Sequence, residues 1–306
     1  MEGVFEALGL TVLERGWLSS NNILFHATAM APATVVDTGY SQHGAQTVAL
    51  LAQQLDGGDL ARIVNTHLHS DHCGGNAAVQ ARWHCEIWVP QPSFDAVNPW
   101  DESRLSYQDT GQHCPPFVAT RSVAAGDRID LGWAAWDVVS APGHDPDALM
   151  LYQAQSRVLI TGDALWERRL PIIFPELDGE SGFTAARSTL DLIESLSPAI
   201  VIPGHGAPFT GVAEALSFSR QRLAQFEADP ARHLSYAGRA LAMFHMLEKR
   251  AEQEPALLDW LTYTPIFQRV ALRSGGAAVT DLAAQLISRL LRDGILQREG
   301  SVIRIV

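Results

Sequence analysis

The segment Thr66-His67-Leu68-His69-Ser70-Asp71-His72 puts three imidazoles and a carboxylate within six residues. No regular element gathers such a set. A helix spreads six consecutive side chains around its circumference, and a strand sends alternate ones to opposite faces. The four groups converge only if the chain turns, and Gly74-Gly75 just beyond suit a tight loop feeding a helix. Imidazole and carboxylate donors suit zinc, iron and manganese. The cluster follows Arg62-Ile63-Val64-Asn65-Thr66, which reads as a strand, so a rigid element carries the loop.

Three further elements complete a candidate site: Pro142-Gly143-His144, Thr161-Gly162-Asp163 and Pro203-Gly204-His205-Gly206. Each follows a strand-like run, and glycine beside the ligand lets the backbone approach a metal closely. The candidate ligands are therefore His67, His69, Asp71, His72, His144, Asp163 and His205. Five histidines and two aspartates exceed what one tetrahedral zinc needs, which argues for two divalent ions. Zinc is the expected metal, with iron and manganese as alternatives. His26, His43, His84, His113, His233 and His245 fit no part of this pattern and are read as structural or surface residues. Cys73 follows a ligand but finds no vacant coordination position, so it is read as a packing residue.

The first two-thirds of the chain alternates strands with helices. A short apolar run closed by a turn is read at 34–39, strands are expected at 62–66, 86–89, 136–139, 157–160 and 199–202, and helices at 47–55 and 184–196. Two long connections, 90–120 and 164–183, are expected to wall a substrate pocket, with Trp166, Arg168 and Arg169 as candidate substrate contacts. Residues 216–306 read differently. A helix is expected over 218–252 and a second over 279–291, capped by Thr280-Asp281. A hairpin of strands 295–298 and 302–305 follows, and this order resembles a winged-helix module. The domains are read as 1–215, catalytic, and 216–306, helical and winged-helix-like.

His-x-His-x-Asp-His with separate Gly-His, Gly-Asp and Gly-His elements resembles the metallo-β-lactamase superfamily. Val36-Asp37-Thr38-Gly39 and Gly126-Asp127-Arg128-Ile129-Asp130-Leu131-Gly132 extend the likeness over roughly residues 15–210. The resemblance implies an α/β (α+β) fold, an αββα sandwich. It implies that His67, His69 and His144 bind one metal, that Asp71, His72 and His205 bind the second, and that Asp163 bridges them. Asp163 stands where antibiotic-hydrolysing class B enzymes mostly carry cysteine, so the chain looks more like the glyoxalase II, lactonase and RNase-type branches. After His144 the chain reads Asp145-Pro146-Asp147-Ala148 where many relatives continue Thr-x-Gly. Asp145 is read either as a partner for a ligand imidazole or as a solvated loop carboxylate.

Composition narrows the function. Of 306 residues, 47% are hydrophobic and 18% charged, which suits a large buried core. Residues 1–215 hold 10 basic and 25 acidic side chains, a net of −15; residues 216–306 hold 12 and 9, a net of +3. So acidic a catalytic block disfavours phosphate polymers as substrates. No eighteen-residue apolar stretch and no basic-then-apolar leader is read, and three cysteines form no even framework, so a cytoplasmic protein without a membrane segment is expected. The leading expectation is a metal-dependent hydrolase whose metal-bridging hydroxide, oriented by Asp71, attacks a small acyl substrate: a thioester, ester or lactone. The alternative is an endoribonuclease-type phosphodiesterase, disfavoured by the single lysine, Lys249. Nucleic acid and membrane are not expected partners; the tail is read as a packing or homodimerisation element.

Overall fold

A computed structural model describes residues 1–276 and 278–306. Short apolar runs pair into two central sheets. The first runs in chain order: β1 (Leu10–Leu13), β2 (Asn22–Phe25), β3 (Thr34–Val36), β4 (Arg62–Val64), β5 (Glu86–Pro90) and β6 (Arg121–Val123). The second contains β7 (Arg128–Leu131), β8 (Ala134–Ser140), β9 (Leu149–Gln153), β10 (Val158–Gly162) and β11 (Ile200–Pro203), with β7 and β11 at its edges. Strands β3 to β6 pair in parallel, as do β10 and β11.

Period-two alternation sorts the side chains into layers. Ile23, Phe25, Val36, Val64 and Trp88 of the first sheet meet Trp136, Leu151, Val158, Ile160 and Ile202 of the second in one buried cluster. Their chain neighbours Leu24, Val35, Ile63 and Ile87 point the other way, onto Leu51 and Val79 of the Gly44–Leu55 and Asn76–Trp83 helices. Behind the second sheet, Met150, Leu159 and Val201 pack on the Gly182–Leu196 and Val212–Ala228 helices. The result is the helix–sheet–sheet–helix sandwich. Strands buried on both faces read as continuous apolar runs, which is why the sequence shows them so plainly.

The C-terminal part holds the Pro230–Lys249, Glu254–Tyr263, Pro265–Arg273 and Val279–Arg292 helices. A small antiparallel sheet joins β12 (Ala251–Gln253) to the hairpin of β13 (Leu296–Glu299) and β14 (Val302–Ile305). The helix expected over 218–252 is broken at Asp229-Pro230, because proline lacks the donor and blocks the preceding turn. The division expected at 215/216 falls inside the Val212–Ala228 helix. That helix places Leu216, Leu223 and Phe226 in the core behind the second sheet, whereas Leu234, Leu241 and Met246 belong to the C-terminal core. The expected cap at Thr280-Asp281 is corrected too: the helix starts at Val279, no side chain caps it, and Asp281 lies in its first turn.

The connection 90–120 contributes Thr110 and Gln112 to the wall of the site's cavity, while its aromatic side chains lie elsewhere. Its Tyr107 and Phe117 are buried under the first sheet, and the Trp100 ring packs against both. The connection 164–183 is fixed to the C-terminal part: Ile172 and Leu177 join that core, and the Ile173 amide donates to His233 Nε2 at 3.1 Å. Among the described residues no helix is long and apolar enough to cross a membrane.

His233 is buried, and burial pushes its pKa down to about 4. Its folded value thus lies below the unfolded one, near 6.5. The neutral ring costs nothing above pH 6.5, and stability is lost as pH falls from 6.5 towards 4, at most about 1.4 kcal/mol per pH unit. His233→Gln retains an acceptor for Ile173 without titrating. Thermal midpoints measured from pH 7 to pH 4.5 should therefore fall more steeply for the natural chain than for this variant; parallel curves would refute the assignment.

Candidate metal centre

Four of the seven expected ligands lie just beyond a strand: His67 after β4, His144 after β8, Asp163 after β10 and His205 after β11. His69, Asp71 and His72 occupy the turn leading into and forming the short Ser70–Cys73 helix. Two sheets therefore aim their ends at one point. His67, His69 and His144 form one group of donors, and Asp71, His72, Asp163 and His205 form a second, with donor atoms in each group within 4.8 Å of one another. All seven residues are brought together.

Hydrogen bonds behind the rings fix which nitrogen faces inward. The His144 Nδ1 lies 2.6 Å from the Ile172 carbonyl, which can only accept, so Nδ1 carries the proton and Nε2 is left as a lone pair. Thr66 Oγ1 donates to Asp37 Oδ2 at 2.7 Å and so accepts from His67 Nδ1 at 3.0 Å, freeing His67 Nε2. The His72 Nδ1 donates to the same Asp37 oxygen at 2.7 Å, and its Nε2 faces Asp163 Oδ1 at 3.3 Å. Asp37 also accepts from the Thr66 amide at 2.9 Å. One buried carboxylate thus orients two histidines, through Thr66 for one and directly for the other. Asp37 has φ of 57°, a left-handed conformation that aspartate tolerates better than most side chains.

Electrostatics divide the histidines. Burial pushes His67 well below the usual imidazole range, and holds His69 and His144 at about 4, with neighbouring histidines adding to the effect on His67 and His144. These three are neutral near pH 7, the form that ligates metal. Burial also opposes charge on His72, but Asp163 and Asp37 outweigh it and raise the ring well above its ordinary value. Burial opposes ionisation of Asp163, yet His72 and His205 hold it well below the carboxylate range. Asp71 is lowered against its own burial by the His205 hydrogen bond at 3.1 Å. Burial pushes Asp145 up to about 6, and its Oδ2 lies 3.5 Å from His69 Nε2, so it is a partner of that imidazole.

Three observations test whether cations fit. His67 Nε2 and His72 Nε2 are buried without a hydrogen-bond partner, a costly state in the absence of something to bind. The donors are nitrogen and oxygen only, which suits zinc, iron or manganese. Gly204 leaves room that a side chain would fill: a Cβ there would collide with Asp163 Oδ1 and come 2.7 Å from His72 Cε1. The residues fit divalent metal. Cys73 stays outside the donor groups, with its Sγ 3.1 Å from the Tyr107 hydroxyl and 3.7 Å from Cys114 Sγ.

A cavity of about 820 Å³ opens on the cluster. Trp166 lines it and donates to Asp163 Oδ1 at 3.1 Å; Arg169 also lines it, with its guanidinium 4.3 Å from the Trp17 ring. Arg168 is exposed and does not line the cavity. Sequence reasoning missed Trp17, whose ring stacks on His205 at 5.3 Å, and it passed over the orienting role of Asp37. An aspartate closing a strand was the available signal for Asp37; nothing local marked Trp17.

Residues 15–205 match the family model described as Metallo-beta-lactamase superfamily. Among curated proteins, the chain is 30% identical over 150 residues to a hydroxyacylglutathione hydrolase of Rhodospirillum rubrum, covering 49% of each chain. It is 25% identical over 202 residues to the probable metallo-hydrolase YflN of Bacillus subtilis, covering 58% of this chain and 76% of that one. The chain spans about half the length of the hydroxyacylglutathione hydrolase it matches. Among solved structures, a metallo-beta-lactamase family protein from Thermus thermophilus superposes with a TM-score of 0.57 at 18% identity, over 97% of this chain and 99% of that one. A beta-lactamase domain protein from Burkholderia ambifaria gives 0.56 at 25% identity, over 96% and 90%.

Asp37→Asn keeps the shape and the tolerated backbone but removes the charge behind His72. It should leave the fold intact and weaken metal affinity roughly 10–100-fold, read by chelator competition. Unchanged affinity would show that Asp37 only supports the loop.

Proposed function

The chain belongs to the metallo-β-lactamase superfamily and is a metal-dependent hydrolase, and from that premise we propose that it cleaves a small acyl substrate, a thioester, ester or lactone, at two divalent ions, most simply zinc. His67, His69 and His144 would hold the first ion and Asp71, His72, Asp163 and His205 the second. Bound ions supply a water of lowered pKa and polarise the carbonyl under attack. Asp71, kept ionised by His205, would accept a hydrogen bond from such a water and orient it. Trp166 holds Asp163 in place, and Trp17 covers the His205 ring. Phe174, with its ring 4.7 Å from that of His69, shields the first donor group from water.

The observation that carries this reading is the bounded cavity shared by His69, Asp71, Asp163 and aromatic side chains, which has the size of one small-molecule site. The relatives' name, hydroxyacylglutathione hydrolase, describes hydrolysis of an acyl derivative and agrees with it. We further take the tail as a winged-helix-like module whose task is to wall this cavity. Three unpaired buried cysteines are consistent with a reducing, cytoplasmic setting.

One observation favours the phosphodiesterase reading: arginines of the tail line the cavity, among them Arg222, Arg232, Arg239 and Arg289. Net charge concealed this local sign. A panel of thioesters, lactones and RNA separates the two readings. Turnover of a thioester or lactone is expected to exceed RNA cleavage, and the reverse order would replace the acyl reading.

Asp163→Asn should lower turnover by more than the roughly 10–100-fold typical of residues behind metal ligands, while Cys73→Ser should leave most of it. Metal content measured alongside should follow the same order; metal loss on Cys73→Ser alone would reverse the two roles.

A further inference from the structure

Three of the arginines that line the cavity have no carboxylate partner. Arg169 comes from the 164–183 connection, Arg222 from the Val212–Ala228 helix and Arg289 from the Val279–Arg292 helix. Arg232 and Arg239 are different, being paired to Asp229 at 3.1 Å and Asp293 at 2.8 Å. Among the described residues, Arg169, Arg222 and Arg289 enter no ion pair of this kind. Arg222 donates to Gln225 Oε1 at 3.2 Å and Arg289 to Ser235 Oγ at 2.9 Å, so each guanidinium keeps most of its donors free.

Arg169 and Arg222 also converge on Tyr236, another cavity residue. The Arg222 guanidinium lies 5.8 Å from its ring, and both arginines pull against the burial that raises its phenol. Three guanidinium groups without carboxylate partners around one cavity, in a chain of net charge −12, favour an anion there. The cavity, about 820 Å³, lies in the size range of a small-molecule site. Guanidinium forks suit phosphate and carboxylate alike.

We propose that Arg169, Arg222 and Arg289 form an anion subsite, and that the acyl substrate carries at least two negative charges, on phosphate or carboxylate, away from the bond that breaks. This rests on the acyl-hydrolase reading above. For a thioester, the oxygen of water bonds to the acyl carbon and the carbon–sulfur bond breaks. The acid and the thiol divide the two protons of that water. The charged half is the leaving thiol.

The zinc-loaded enzyme and its Arg222→Gln/Arg289→Gln double variant can be titrated by calorimetry with three thioethers that cannot hydrolyse. These are S-ethyl coenzyme A, S-methylglutathione and the neutral N-acetyl-S-ethylcysteamine. One of the two anionic thioethers should bind about tenfold or more tightly than the neutral one, and the double variant should lose that preference. Preference for the first points to phosphate, and for the second to carboxylate. The kcat/KM ratio of the matching anionic thioester to the neutral one should fall with it. A preference in binding without turnover keeps the subsite and removes the acyl reading, whereas turnover without preference removes the subsite. Equal binding of all three, a preference that survives in the double variant, or salt-sensitive RNA cleavage without preference each overturn it. If the double variant does not fold, Arg289→Gln alone serves, since that side chain is exposed.

Discussion

The structure turns on the Asp37 carboxylate, buried where β3 ends. It accepts from the Thr66 amide, the Thr66 hydroxyl and the His72 ring, and the Thr66 hydroxyl in turn accepts from His67. Buried polar groups are costly unless satisfied, and this set satisfies the outer nitrogens of two histidines while leaving their inner nitrogens without partners. This arrangement is delivered by parallel pairing of β3 with β4, which sets Val36 beside Val64 and brings Asp37 level with the loop that follows.

Two sheets and a separate helical layer share the site. The β4 end supplies the dense turn; β8, β10 and β11 of the other sheet supply His144, Asp163 and His205. The tail completes the cavity. Tyr40, near the metal turn, donates to Glu248 at 2.6 Å, and Arg269 pairs with Asp109 of the 90–120 connection. These contacts lock the C-terminal helices against the sandwich, so the cavity wall and the metal turn are held as one surface.

Much of this was legible because the ligands are local signals. Glycine beside histidine or aspartate, after an apolar run, marks a strand end that points at something; three such places and the dense His67–His72 turn gave the centre, and the family resemblance they carry implied the sandwich. What failed to show has a common cause: it depends on partners distant in sequence. Trp17 reaches His205, and Arg222 and Arg289 reach the cavity from two helices, whereas charge counts give sign without position. The connection 90–120 reaches the cavity only through Thr110 and Gln112, and composition cannot tell which part of a loop is buried and which is open. Pro230 was visible, and apolar periodicity on both sides of it outweighed the break it imposes.

The central claim is that these seven side chains hold two metals. A crystal structure with diffraction recorded on both sides of the zinc absorption edge tests it most directly. Two anomalous peaks are expected, one among His67, His69 and His144 and one among Asp71, His72 and His205, with Asp163 between them. A fully active crystal with no peak at this cluster, or with metal bound elsewhere, would contradict it.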